Sequence, residues 1–305
     1  MKIAILSKGP GNYSTKRLKE EAIKRGHEVR IINYVLCEAK IEKSNPIVTY
    51  EGEVLTGFDA IIPRIASSYT RYGTAIVRQF EMQGVFTTAS SIAIVRSRDK
   101  LRSVQLMARA GIGIPKTIFS RGATDVDQVM EKLDGPPIII KLARGTHGRG
   151  VVLAETRKAA KSVIQSFYMM DDDGTNILLQ EYIEESAGTD IRAFVVGGQV
   201  VASMKRQSIN IDEEFRSNLH QGGSGTSVKL TDEEKRVAVK AAKAMGLSIC
   251  GVDLMQSQRG PLVLEVNSSP GFGIEQITGR NVAEKIIEYV ELNAKARHRK
   301  DRVGA

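Results

Sequence analysis

Three features of the 305-residue chain predict a mixed α/β (α+β) fold. Apolar β runs alternate with amphipathic helical stretches in the first third, an order that builds a mostly parallel sheet. A glycine-rich stretch, KLARGTHGRG (141–150), joins one strand to the next. Near the C-terminal end, PLVLEVNSSPG (261–271) places Glu265 and Asn267 on one face of an otherwise apolar strand.

The elements follow in order. KIAIL is a first strand, TKRLKEEAIKRGHE an amphipathic helix stopped by Gly26, and VRIIN a second strand. FDAIIPRI is a third strand and YGTAIVRQFEMQG another helix. The intervening turn KGPGNYSTK is glycine-rich but has neither dinucleotide nor P-loop spacing. SIAIVRSRDKLRSVQLMARAG (91–111) reads as one helix closed by Gly111, and IGIPKTIFS leads into the next unit. Then come helix DVDQVMEKLDG, strands PIIIKLA and VVLAE, helix TRKAAKSVIQSFYMM, the turn DDDGTN and strand ILLQEYIEE. Strands DIRAFVVGG and QVVASMKRQ meet at Gly197–Gly198, a hairpin signal. A polar loop, helix TDEEKRVAVKAAKAMG, strands ICGVDLMQ and PLVLEVN around SQRG, and helix NVAEKIIEYVELNAKA complete the chain.

Composition limits the function. There is no apolar run of membrane-spanning length, and MKIAIL is too short for a secretory signal, so a cytoplasmic protein is expected. Cys37 and Cys250 match no metal or disulfide spacing and suit a reducing compartment. The net charge of +9 admits either attraction to polyanions or a positive cleft for phosphates and acidic substrates. Aromatics at 5%, with no nucleic-acid-binding motif, argue against direct base readout. The tail NAKARHRKDRVGA is either a solvated end or a basic binding arm.

Four elements carry chemistry. If PLVLEVN pairs with GVDLM across SQRG, Asp253 neighbours Glu265 while Leu264 and Val266 face the core. Two carboxylates and an amide oxygen form a hard ligand set suited to magnesium; the alternative is a set of solvated polar residues. Lys141 ends a strand before glycines 145, 148 and 150, so backbone N–H groups and an ammonium can approach phosphates. His147 and Arg149, at the tip of that loop, are either solvated or anion contacts. Gln180, Glu181, Tyr182 and Ile183 form a strand edge able to read adenine, and Asp190 can accept from ribose hydroxyls. Arg216 and Asn218 in FRSN offer partners for phosphate or a substrate carboxylate, in a loop that can also serve as a lid. No nucleophile elbow, metalloprotease helix or Ser/His/Asp constellation is present.

Lysine, glycine loop, adenine strand and metal hairpin, in that order, resemble the ATP-grasp superfamily. MKIAILS, RDKLRS, RGTHGRGVVLAET, QEYI, FRSNLH and RGPLVLEVNSSPG together resemble the RimK family, which ligates L-glutamate to the C-terminus of a small-subunit ribosomal protein. The resemblance spans essentially the whole chain. It implies a pre-ATP-grasp α/β domain (1–95), a central ATP-grasp subdomain (96–187) and a C-terminal subdomain (188–305), with ATP between the last two. It assigns Lys100 and Lys141 to phosphates, with Gly148 in the loop, and Gln180–Ile183 and Asp190 to the nucleoside. Arg216, Ser217 and Asn218 also fall to nucleotide binding, Lys141 and Arg216 carrying catalytic charge, and Asp253, Glu265 and Asn267 to the metal. The implied cofactors are ATP, as substrate, and two Mg2+ or Mn2+ ions. The implied partners are L-glutamate and the ribosomal protein's C-terminus, with no membrane and a homo-oligomer, a tetramer. A ligase using free glutamate, a carrier protein or a small-molecule acceptor shares the same ATP and metal residues. A non-catalytic nucleotide sensor or RNA-associated protein is the reading of a different class.

Overall fold

The computed structural model describes residues 1–121, 125–142, 150–169, 176–208 and 224–294. The chain opens with β1 (Lys2–Ser7), α1 (Tyr13–Lys24) and β2 (Glu28–Ile32), followed by β3 (Cys37–Glu42), β4 (Asn45–Tyr50) and β5 (Glu53–Val54). β6 (Ala60–Arg64), α2 (Thr70–Met82) and β7 (Phe86–Thr87) finish this part. The parallel sheet expected here forms in the order β2-β1-β6-β7. Ile3, Ala4, Ile5 and Leu6 of β1 are all fully buried, as a strand covered on both faces requires. The antiparallel sheet β3-β4-β5 was not anticipated. CEAKIE does alternate apolar and charged residues, but everything after Cys37 in it is exposed, so the alternation marks no buried face, and β4, NPIVTY, carries a proline at its second position.

Residues 91–111 hold two helices rather than one, α3 (Ser91–Arg98) and α4 (Lys100–Arg109). Asp99 leaves the helical region (φ −85°, ψ 102°), and its side chain caps α4 by accepting from the Arg102 N–H. The break makes Lys100 the first residue of α4, facing the cleft described below.

The middle of the chain supplies β8 (Thr117–Arg121), α5 (Val126–Lys132), β9 (Ile138–Leu142), β10 (Val151–Ala154), α6 (Arg157–Tyr168) and β11 (Asn176–Glu181). These strands form an antiparallel sheet ordered β10-β9-β11-β8. β11 stops at Glu181, short of the strand expected to 185, and a single 3-10 turn follows at Glu184–Ser186. Next come β12 (Thr189–Val196), β13 (Gln199–Gln207), β14 (Ser224–Ser227), α7 (Asp232–Met245), β15 (Ile249–Ser257) and β16 (Gly260–Asn267), then α8 (Gly273–Thr278) and α9 (Val282–Ala294). Their sheet runs β14-β13-β12-β15-β16, all antiparallel. Gly197 and Gly198 both have positive φ (59° and 81°) in the β12–β13 turn, which explains a glycine pair there. α7 starts with a capping box, Thr231 with Glu234, and ends on left-handed Gly246.

Apolar burial divides into three clusters. Two are shared between the first sheet and the last: Ala4 and Leu6 lie in the same core as Val252 and Leu254, and Ile3 and Ile5 in the same core as Phe194 and Ile286. The third belongs to the middle sheet alone, built on Ile138, Ile140, Ile177 and Leu179.

Candidate active site

A cleft of about 1370 Å³ lies between the middle and last sheets, with α4 at one end. On the middle-sheet wall, alternation sends Ile138 and Ile140 of β9 into the core and Ile139 and Lys141 into the cleft. β11 does the same: Ile177 and Leu179 go inward, Leu178 and Gln180 toward the cleft. Register sets Lys141 opposite Leu178 and Ile139 opposite Gln180, so each polar group sits diagonal to the other over an apolar floor. The Lys141 ammonium donates to Gln180 Oε1, and Gln180 Nε2 donates to Thr117 Oγ1 at 2.8 Å. Burial pushes Lys141 down to about 8, with the Lys100 charge adding to the effect and Glu265 opposing it. Lys100 reaches from α4 to donate to the Leu142 carbonyl at 2.7 Å, and burial lowers its pKa too.

The opposite wall carries a ladder of charged residues across four strands. Asp190 of β12 stands opposite Arg206 of β13, Arg192 of β12 opposite Asp253 of β15, and Asp253 opposite Glu265 of β16. Arg192 grips both oxygens of Asp253, each at 2.7 Å, and Arg206 Nη2 reaches Asp253 Oδ2 at 2.9 Å. Arg206 also forks onto both oxygens of Asp190, its Nε donating at 2.6 Å. Burial by itself would raise the Asp253 carboxyl; the Arg192 and Arg206 guanidiniums outweigh it and hold that carboxyl at about 2. Likewise burial would lower Arg206, but Asp253 and Asp190 raise it above its ordinary value.

Glu265 differs. It opens into the cleft without a guanidinium fork, accepting from Asn267 Nδ2 at 3.0 Å. Withdrawal from bulk water and the neighbouring Asp253 charge raise its carboxyl. The same Asn267 nitrogen lies 3.4 Å from Asp253 Oδ2, so one carboxamide links both acids.

Leu264 corrects the expected alternation. The β15–β16 register shifts between Asp253 and Leu254, so Asp253 faces Glu265 while Leu254 faces Val263, and Leu264 has no partner. This bulge turns Leu264 to the cleft, leaving Val263 and Val266 in the core. Beyond Asn267, the loop packs closely: a Cβ on Gly251 would stand 3.0 Å from Pro270 Cβ.

The remaining sequence candidates are placed as follows. Glu181, Tyr182 and Ile183 line the cleft next to Gln180, and Glu181 also accepts from the Lys116 N–H at 2.6 Å and pairs with Arg259. Asp190 lines the cleft with both oxygens taken by Arg206. Gly148, His147, Arg149, Arg216, Ser217 and Asn218 lie outside the described residues. Sequence reasoning passed over Arg192 and Arg206. Both sit in the two strands flanking the Gly197–Gly198 hairpin, and pairing them in register brings Asp190 to Arg206. No helix among the described residues is long and apolar enough to cross a membrane.

Comparison with known proteins places the chain in a family. The RimK-like ATP-grasp domain matches residues 97–290, and the RimK PreATP-grasp domain matches residues 1–94. The chain belongs to the RimK family of ATP-grasp ligases. One RimK-family relative, from Hydrogenovibrio crunogenus, is 56% identical over 303 residues, covering 99% of both chains, and is named probable alpha-L-glutamate ligase. A second of the same name, from Picosynechococcus, is 57% identical over 304 residues, again covering 99% of both. Among solved structures, the ATP-grasp ligase PsnB complexed with minimal precursor, Mg and ADP superposes with a TM-score of 0.71 at 18% identity, covering 96% of this chain and 98% of that one. A RimK domain protein from Sphaerobacter thermophilus has a TM-score of 0.71 at 17% identity, covering 95% and 99%. These structures share the ATP-grasp fold. As a family member the chain is an ATP-dependent carboxylate–amine ligase, and the RimK domain that matches 97–290 contains the whole charge ladder.

Proposed function

We propose that this ligase joins the amine of L-glutamate to the C-terminal carboxylate of a small-subunit ribosomal protein through an acyl phosphate. The observation that carries the reading is the meeting of the two walls. Lys141 projects from the middle-sheet wall and Lys100 from α4 at the end of the cleft, both close enough to feel the charge of Glu265 on the opposite wall. Cations facing an acid pair across a cleft suit a nucleotide whose phosphates lie between them. Ile139, Leu178 and Ile183 offer apolar cover for the base, and Lys141 is held in aim by Gln180. Glutamate as the amine donor is supported by the names of the full-length relatives.

The residues fit magnesium. Glu265 and Asp253 are adjacent like charges that raise the Glu265 carboxyl, a repulsion that a cation relieves. Rotating the Asn267 carboxamide exchanges its nitrogen for an oxygen between the same two acids. Among the described residues no cluster of three or more His, Cys, Asp or Glu stands ready to hold an ion alone, so substrate phosphate and water would complete the shell. Glu265, Asp253 and Asn267 would hold the ions, which when bound draw charge from the transferring phosphoryl group.

The chain's own residues do the rest. Lys100 and Lys141 hold the phosphates in line and screen their charge from an approaching carboxylate. The carboxylate oxygen bonds to the γ-phosphorus as the bond to ADP breaks. The glutamate amine then bonds to the acyl carbon, phosphate leaves, and the ammonium proton passes to solvent. Arg216, Ser217 and Asn218 belong to this proposal as nucleotide contacts. The test is to incubate the enzyme with ATP, magnesium and L-glutamate, with and without the ribosomal protein. Intact mass rising in glutamyl steps on the protein alone supports the reading. Glutamate polymer forming equally well without protein contradicts it and points to a free acceptor.

A further inference from the structure

Beside the cleft, behind Pro270, the first sheet contributes an arginine that the ATP and metal roles do not use. Arg64 ends β6, at the carboxyl edge of the parallel sheet. Its Nη2 donates to the Pro270 carbonyl at 2.6 Å and to Ser14 Oγ at 3.1 Å, and its guanidinium lies 5.1 Å from the Phe272 ring centre. No carboxylate pairs with it among the described residues, and its hydrogen bonds there use Nη2 alone. Arg98 is near enough for its charge to act on Arg64, and it too meets neutral acceptors: the Ile65 and Ala66 carbonyls and Thr70 Oγ1. Burial, with the Arg98 charge adding, pushes Arg64 down to about 10. Two guanidiniums within reach of each other's charge, neither paired with a carboxylate among the described residues, call for an anion.

A second, independent observation lies on the same loop. The hydroxyl oxygens of Ser268 and Ser269 are buried and have no hydrogen-bond partner among the described residues. Ser268 is 7% exposed and lines both the main cleft and a small cavity whose wall includes Arg64. Buried hydroxyls without partners are costly in a folded protein unless a ligand completes them. Both serines directly follow Asn267, so a group bound here lies next to the proposed phosphoryl site.

We propose that Arg64, with the Ser268 and Ser269 hydroxyls, forms the subsite that holds a carboxylate of the incoming dicarboxylic amino acid, with Arg98 supporting its charge. This rests on the ligase reading above. The group bound is a carboxylate, which either the amino acid or the acceptor could supply. The amino acid is favoured because a carboxylate clamped by a guanidinium is a poor nucleophile toward phosphate. The clamp therefore suits the substrate whose carboxylates must stay unactivated while its amine reacts.

Steady-state ADP release with L-glutamate, ATP and acceptor varied in turn tests the assignment on Arg64→Lys, Ser268→Ala and Ser269→Ala. Arg64→Lys keeps the charge and loses the fork, so KM for L-glutamate rises about tenfold or more while KM for ATP and acceptor stays within about twofold. Each serine variant raises the glutamate KM about threefold or more with an unchanged or higher melting temperature, since an unsatisfied hydroxyl is removed. The preference for L-glutamate over L-glutamine falls in Arg64→Lys. An unchanged glutamate KM in all three variants overturns the assignment, and so does a rise confined to the acceptor KM. If the wild-type enzyme ligates no glutamate, the functional reading fails separately. Calorimetric titration of L-glutamate and succinate into the ADP–magnesium enzyme then decides: binding lost in Arg64→Lys keeps the carboxylate subsite, and absence of binding to wild type removes it.

Discussion

Across the cleft, β9 and β11 present Ile139, Leu178, Lys141 and Gln180 over a core of their own, whereas β12, β15 and β16 present Arg192, Asp253 and Glu265 over a core shared with the first sheet. The first wall is apolar with one aimed cation, suited to covering a base and steadying phosphates. The second is a locked charge ladder whose last rung, Glu265, lacks a cationic partner of its own. The difference separates two jobs. On the proposed function, rigidity is concentrated where metal spacing would matter, and the wall proposed to cover the base is the one able to shift without opening the other core.

The largest expected effect comes from the last rung. Glu265→Gln removes one charge from a repelling pair, so the protein stays folded while turnover falls about 10³-fold or more. Circular dichroism with an ADP-release assay checks both halves, and full activity would break the division of labour. Lys141→Met is next, lowering turnover about 10²-fold or more by removing the proposed phosphate contact. The Lys141 pKa of about 8 is below the ordinary value of 10.5, so this group costs stability at pH 7, and the cost fades as pH rises from 8 toward 10.5. The melting temperature of Lys141→Met should therefore exceed wild type at pH 7, by a margin that shrinks at pH 10.

Inside the ladder the readout is folding. Arg206→Met leaves Asp190 and Asp253 short of a buried counter-charge and destabilises by about 3–5 kcal/mol in urea titration. Asp253, held at about 2, contributes stability above its unfolded pKa and loses it as pH falls through 2. Removing Arg206 should move that acid limb toward higher pH. The two cores are distinguished by hydrogen exchange. Ile140→Ala should cost about 2–5 kcal/mol and deprotect residues of the middle sheet only, whereas Leu254→Ala should deprotect the first and last sheets together. Loss spread evenly in both variants would mean that the walls are one unit. The smallest effect is at the tail: deleting residues 296–305 should leave ATP turnover on a peptide acceptor unchanged.

Much of this arrangement could be read along the chain, because one strand period decides which residues share a face. Lys141 with Ile139, and Glu265 with Asn267, follow from alternation. What alternation misses is anything that interrupts it. The bulge at Leu264 depends on how β16 meets β15, a tertiary fact that PLVLEVN does not contain. The helix break at Asp99 is a side-chain cap competing with an otherwise continuous helical pattern. The β3–β5 sheet is hard to read because the apolar side of CEAKIE, Ala39 and Ile41, is exposed rather than buried, and Pro46 interrupts the next strand. Arg192 and Arg206 carry no motif of their own, and only the strand register aligns them with Asp253 and Asp190.

The central claim is that both walls hold one nucleotide, the lysine wall by charge and the Glu265 wall through magnesium. Affinity for a non-hydrolysable ATP analogue, titrated with and without magnesium, tests it on wild type, Lys141→Met and Glu265→Gln. Wild type should bind more tightly with magnesium, Lys141→Met should bind weakly in both conditions, and Glu265→Gln should keep its magnesium-free affinity but lose the enhancement. An undiminished magnesium effect in Glu265→Gln would contradict the account.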